Sequence, residues 1–222
     1  MIYGVFSMIV FRYRKTDGAE FISHLDTLRH LNKTFVRAGI LVKKSAGFHP
    51  HPLVYMSSPI GVGLVSYAEY CSVDTDVSPD EFKKLFNEFS PRGIKCERAF
   101  YTVKNVNLAA VINRAEYEIF GVNEFEPQDV LGRKEFFITD KRGNEKEVRS
   151  KIYSIAKEKR DCPGGSGEAY LKVLIEAGNN ALRPDCFAEK LVSLYGGSHV
   201  SIIKRKAFVA EEDVDDYLSE QE

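Results

Sequence analysis

Apolar positions alternate with polar ones in several short runs and recur at three- and four-residue intervals in longer ones, so the chain reads as mixed α and β. Residues 6–14, FSMIVFRYR, are rich in β-branched and aromatic side chains and predict a strand. After the turn TDGAE, SHLDTLRHLNKTFVRAG predicts a helix. Ser23 stands at its N-cap, Asp26 takes the capping-box position three residues on, and Gly39 follows the last turn. Leu25, Leu28, Leu31 and Phe35 predict a core-facing stripe on this helix, and Arg29, Lys33 and Arg37 a basic one. Strands at 53–58 and 66–75 flank PIGVG, whose glycines suit a tight connection. Ser78 and Pro79 open a second helix, PDEFKKLFNEF, and 95–103 predicts a further strand. The order βαββαβ predicts a ferredoxin-like unit, two helices on one face of an antiparallel sheet.

A second pattern starts near Leu108. Strands are predicted at 115–122, 135–140, 145–150, 170–177 and 199–209, with a helix over about 184–195. The segment 161–167, DCPGGSG, predicts a flexible loop; it lacks the GK[ST] ending of a phosphate-binding loop. The expected class is α+β: a ferredoxin-like domain over 1–105, a second, smaller α+β domain over 106–209, and an acidic disordered tail over 210–222. In the last strand Lys204 and Lys206 alternate with Arg205, which predicts a solvated sheet edge.

Composition changes the picture in three ways. At 222 residues and 44% hydrophobic, the chain can bury one substantial core or two small ones. The formal net charge of -1 hides an asymmetry: seven of the 32 acids lie in the tail, leaving 25 acids against 31 bases in residues 1–209, a balance of +6. That mild excess suits an anionic partner and equally suits ordinary solubilising charge. Four cysteines, Cys71, Cys96, Cys162 and Cys186, show no CxxC spacing, which argues against a zinc knuckle, an iron-sulfur cluster or a disulfide framework and fits a reducing cytoplasm. The apolar start is too short to cross a bilayer and has no basic flank or cleavage site, so no membrane partner is expected.

The candidate chemistry centres on GFHPHP, residues 47–52. Each proline holds the residue before it extended, so His49 and His51 are expected to project to one side of a stiff segment, while Gly47 permits a sharp bend. His24 and Asp26 lie at the start of the first helix. An HxH pair can ligate a divalent metal, with His24, Asp26 or Glu69 completing the set. A histidine can instead act as general acid or base beside a phosphodiester. A third reading has Phe48 and the histidines stacking on bases while Arg29, Lys33, Arg37, Lys43 and Lys44 meet phosphates. The plain alternative is a proline-stiffened loop with structural hydrogen bonds. Arg183-Pro184-Asp185 opens the last helix and reads first as an ordinary helix start with proline in its first turn; anion binding at that helix end by Arg183 is the second reading. No tightly held metal is expected, because the local sequence offers two clear ligands and no assured third.

The blocks FISHLDTLRHLNKTFVRAGI, SAGFHPHP, SPIGVGLVSYAEY and the later LRPD resemble a bacterial family of radical SAM-linked proteins, a domain of unknown function, over about residues 7–208. The resemblance implies a partner: members of that family occur fused to, or encoded beside, a radical SAM protein, often near genes for ribosomal proteins and a ribonuclease. This chain lacks the CxxxCxxC run of a radical SAM enzyme, so the partner would act in trans and no cofactor is expected on the chain itself. The expected function is an RNA-directed accessory protein working with a separate radical SAM enzyme in tRNA or rRNA modification. The alternative is a stand-alone metal-dependent hydrolase or metal-independent endoribonuclease using His24, His49 and His51.

Overall fold

A computed structural model describes residues 7–103, 105–140, 142–160 and 168–221. The DCPGGSG segment, Cys162 and the first residue of the predicted opening strand lie outside them. The protein is α+β, with one large, mostly antiparallel sheet and several helices.

In chain order the strands and helices are β1 (Ser7–Lys15), α1 (His24–Ala38), β2 (Val54–Met56), β3 (Val65–Thr75), α2 (Pro79–Phe89), β4 (Ile94–Thr102), α3 (Leu108–Val111), β5 (Arg114–Val122), α4 (Gln128–Leu131), β6 (Phe137–Thr139), β7 (Glu145–Glu147), β8 (Ile152–Arg160), β9 (Glu168–Glu176), α5 (Pro184–Tyr195), β10 (Gly197–Val209), β11 (Glu212–Asp213) and α6 (Val214–Ser219). The main path of the sheet runs β4-β1-β3-β10-β5-β9-β8, with β2 added to β3 and β11 to β10; β6 and β7 form a separate hairpin.

Local chemistry explains the helix ends. The Ser23 hydroxyl accepts from the Asp26 amide, and Gly39 closes α1 at φ 69, a left-handed conformation that costs glycine little. Ser78 caps α2 in the same way, accepting from the Glu81 amide, with Pro79 in the first turn. These two helices cover β1 and β3 through a cluster of Phe11, Phe35, Phe82 and Phe86; the Phe11 and Phe82 ring centres lie 4.9 Å apart. Leu25 does not join that core. It is exposed, and the buried face of α1 is instead Thr27, Leu31, Thr34, Phe35 and Ala38. The core-facing stripe is therefore turned from the one the leucine spacing predicts: Leu28 is only half-buried, while Thr27 and Thr34 take buried positions.

A second core gathers Ile119, Val173, Phe136, Phe187 and Leu191 under α5. It rests on β5 and β9, strands whose alternation is clear in the sequence, and on β8, which the sequence did not signal. In IYSIAKEKR only Ile152 and Ile155 are buried, so the apolar signal is too sparse for the alternating pattern.

Two expectations about the end of the chain are corrected. Strand β10 is no solvated edge: it lies between β3 and β5, and Lys204 is buried in an ion pair with Glu69 at 3.0 Å. Its register shifts between Lys204 and Lys206, so the lysines do not simply alternate with Arg205. The acidic segment after it is ordered over the described residues. Val214 and Leu218, one helical turn apart, are fully buried against Val10, Tyr70 and Phe100. Asp215 is buried too, with Arg12 Nη1 at 2.9 Å, Arg98 Nη1 at 3.4 Å and the Tyr70 hydroxyl at 2.9 Å. Apolar burial and three donors outweigh the repulsion that the acid count suggests. The boundary expected near residue 105 falls between β4 and β5, and the sheet runs on across it.

Candidate functional site

Residues 42–53 form a narrow hairpin that projects beside α1. Val42 bridges to Thr75 on β3, Lys44 bridges to Pro52, and the Ser45 amide donates to the His51 carbonyl at 2.9 Å. The chain reverses through residues 46–49, where Gly47 takes φ 124, a conformation L side chains rarely adopt. His51 is therefore a ladder residue. Its amide donates to Ser45 Oγ at 3.2 Å, and its Nδ1 lies 2.9 Å from the same oxygen. His49 sits on the bend, exposed, with its ring edge-on to Phe48 at 6.5 Å. Phe48 itself is fully exposed at the tip. Stiff prolines, a Ser–His brace and a glycine turn thus hold out an aromatic side chain that buries nothing of its own surface.

The hairpin runs against the C-terminal half of α1, leaving a largely apolar surface groove between Val36, Pro50 and Pro52, rimmed by Asn32, Lys33 and Lys44. The Asn32 Oδ1 there is buried without a hydrogen-bond partner. Lys33 and Lys44 make no ion pair among the described residues, and both are exposed. His24 stands two helical turns from Asn32, about 12 Å along the axis. Among the described residues it makes no hydrogen bond with His49 or His51, and no three His, Cys, Asp or Glu side chains come together in a metal-ligating group.

Several other sequence candidates carry structural duties. Asp26 receives the Ser23 hydroxyl at 2.8 Å and Arg29 Nη1 at 2.7 Å, which together hold its carboxyl below the usual carboxylate range. Arg37 donates to the Phe89 carbonyl at 3.0 Å, satisfying the end of α2. Lys43 pairs with Asp74 at 3.0 Å. Arg183 is clamped by Asp185 through Nε at 3.1 Å and Nη2 at 2.6 Å. Of the predicted basic stripe, Lys33 is left to meet a ligand directly.

Sequence reasoning missed that SPIGVG and LRPD meet. Both line one cleft where β3 pairs with β10, with Tyr117 and the buried Lys204 among its walls. The only sequence signal was that each block stood out separately. Two of the cysteines are poor nucleophiles: burial raises the Cys71 thiol and pushes Cys96 up to about 12.

Comparison with known proteins adds a family and no activity. The model of a family described as "Uncharacterized protein conserved in bacteria (DUF2344)" matches residues 8–184. No curated protein matches the chain. A crystal structure of an unknown protein from Galdieria sulphuraria is similar at 8% identity, covering 90% of this chain and 98% of that one, with a TM-score of 0.26, too loose a superposition to carry an argument. The match over residues 8–184, which takes in the capped first helix, the HPHP hairpin and SPIGVG, places the chain in that conserved bacterial family, DUF2344.

Proposed function

We propose that the protein is an RNA-directed accessory protein that grips RNA with the hairpin tip and the flank of α1. The observation that carries this reading is the fully exposed Phe48, held out beside His49 by a braced hairpin, with Lys33 and Lys44 on the groove between that hairpin and α1. A ring with no packing role and two flat faces is what base stacking uses, and unpaired lysines alongside supply phosphate contacts. The strand order is compatible with two ferredoxin-like halves set side by side, β4-β1-β3-β2 and β10-β5-β9-β8. That scaffold supports an RNA role by analogy alone. The partner we propose is a radical SAM enzyme in trans acting on tRNA or rRNA. That proposal rests on the resemblance carried by the ISHLD and GFHPHP blocks.

The test is a fluorescence titration of labelled host tRNA and rRNA fragments at several salt concentrations. Binding should weaken steeply with salt as counterions are released. Phe48→Ala should cost about 1–3 kcal/mol, the range for one stacked base. Lys33→Glu with Lys44→Glu should weaken binding to all sequences alike and flatten the salt slope. Absence of affinity at low salt, or indifference to all three changes, would overturn the reading.

A further inference from the structure

The cleft at the β3–β10 seam has a volume of about 210 Å³ and is built from parts of both halves of the chain. Ile60, Leu64, Ile112 and Leu182 give it apolar walls. Three residues that carry donor groups line it: Arg183, the buried Lys204 and Tyr117. Each cation is already fixed by a carboxylate. Asp185 clamps Arg183 in a two-point pair, and Glu69 holds Lys204 while also accepting from the Ser66 hydroxyl at 2.7 Å.

Tyr117 is the second, independent observation. Its side chain is only 7% exposed, yet its hydroxyl makes no hydrogen bond among the described residues and is not sealed off from the cleft. Burial, followed by the carboxylates of Glu69 and Asp185, raises its phenol, so the group is a neutral O–H at physiological pH. A hydroxyl that reaches the cleft and has no protein acceptor is free to donate to a ligand there, an interaction of modest net strength.

The chemistry of the ligand follows from size and charge. The volume is below the roughly 300–1,000 Å³ of pockets for drug-sized ligands, so it admits one ring system. Two cations face two carboxylates, which leaves no net field to hold a free anion. Apolar walls combined with donor-bearing residues suit a flat, neutral ring that presents carbonyl oxygens. We propose that the seam cleft binds a single keto nucleobase, guanine or uracil, edge-first between its apolar walls. This rests on the RNA reading above and assigns that RNA a second contact: one unstacked base taken into the cleft while the backbone lies across the hairpin and α1. Guanine O6 and N7, or the uracil carbonyls, accept from Arg183, Lys204 and Tyr117; adenine and cytosine turn an amino group toward the same donors.

Isothermal titration of the full chain with guanosine, uridine, adenosine, cytidine and inorganic phosphate, each alone, tests it. Guanosine and uridine should bind at least about fivefold tighter than the other two nucleosides, and phosphate should not bind. Tyr117→Phe removes one hydroxyl from a site where it has no protein partner, so folding should be kept, checked by an unchanged melting temperature. Nucleoside affinity should fall about fivefold, the effect of losing one hydrogen bond. Arg183→Ala should weaken binding as well. No nucleoside binding at millimolar concentration, no keto preference, equal binding of phosphate, or affinity untouched by both variants would each overturn the proposal. RNA binding that needs Phe48 while nucleosides fail to bind would sink the cleft and leave the hairpin reading standing. Nucleoside binding lost in Tyr117→Phe, with no affinity for RNA, would do the reverse.

Discussion

The two halves of the sheet use the same strand order and finish it differently. Around β4-β1-β3 both faces are covered: α1 and α2 seal one with a phenylalanine cluster, and α3 with α6 seals the other over Val10, Tyr70 and Phe100. Around β5-β9-β8, α5 covers one face, while the opposite face is a lattice of charges. Glu118 there takes both Arg160 and Arg205, and Lys172 lies 3.7 Å from Glu116 and 3.4 Å from Glu158. The guanidinium groups lie over rings as well, Arg205 on Tyr67 at 4.7 Å and Arg160 on Phe120 at 5.1 Å. One arrangement of strands therefore tolerates a dry or an ionic second face, provided each strand keeps one apolar side. Where the halves meet, both elements occur: Ala68 and Tyr70 pack with Ala207 and Val214, and beside them Lys204 and Glu69 form a buried ion pair.

That contrast breaks most sharply at the seam. Lys204→Met strips the partner from a carboxylate that is itself buried, and unfolding in urea should show a loss of about 3–5 kcal/mol. Adding Glu69→Leu should restore most of it, since two apolar groups leave no charge to solvate. The covered face comes next. Leu218→Ala removes the anchor of α6 and should cost about 2–5 kcal/mol in the same measurement, an effect that a disordered tail would not show. The ionic face should respond least. Arg160→Ala touches an ion pair and two rings, yet its half-exposed position predicts a change of less than about 1 kcal/mol. A larger loss would show that the charge lattice carries stability as a network.

What was legible in the sequence was local. Helices α1 and α2, capped by Ser23 and Ser78, and α5, opened by Pro184 in its first turn, follow from the sequence because a cap or an N-terminal proline acts within a few residues of itself. Strand β8 was missed because charged residues interrupt its apolar pattern, and the partners of Lys157 and Glu158, which are Glu126 and Tyr170, are distant along the chain. The C-terminal helix was missed for a related reason: seven acids dominate the composition, and the Val214–Leu218 pair that docks it is only two residues. At the candidate site the hairpin was partly legible, since proline and glycine act on their own neighbours. Which cations remained available was not, because Arg37 and Lys43 find their partners 52 and 31 residues away. The meeting of SPIGVG with LRPD depends on the register between β3 and β10 and has no local signature at all.

The late position of β10 has a consequence for biosynthesis. It joins β3 through only two parallel residue pairs, Val65 with Ile203 and Ser66 with Lys204, yet those pairs connect segments almost 140 residues apart. On a ribosome that makes the chain from its N-terminus, β1 to β4 can assemble early, while the flank of β3 and the carboxylate of Glu69 wait for most of the remaining translation. Such distant closure is slow to find, and an unpaired strand flank is adhesive while it waits. The nascent protein passes through a window in which its first half is folded but unsealed, and the last strand to emerge ends that window by supplying both the neighbouring strand and the lysine.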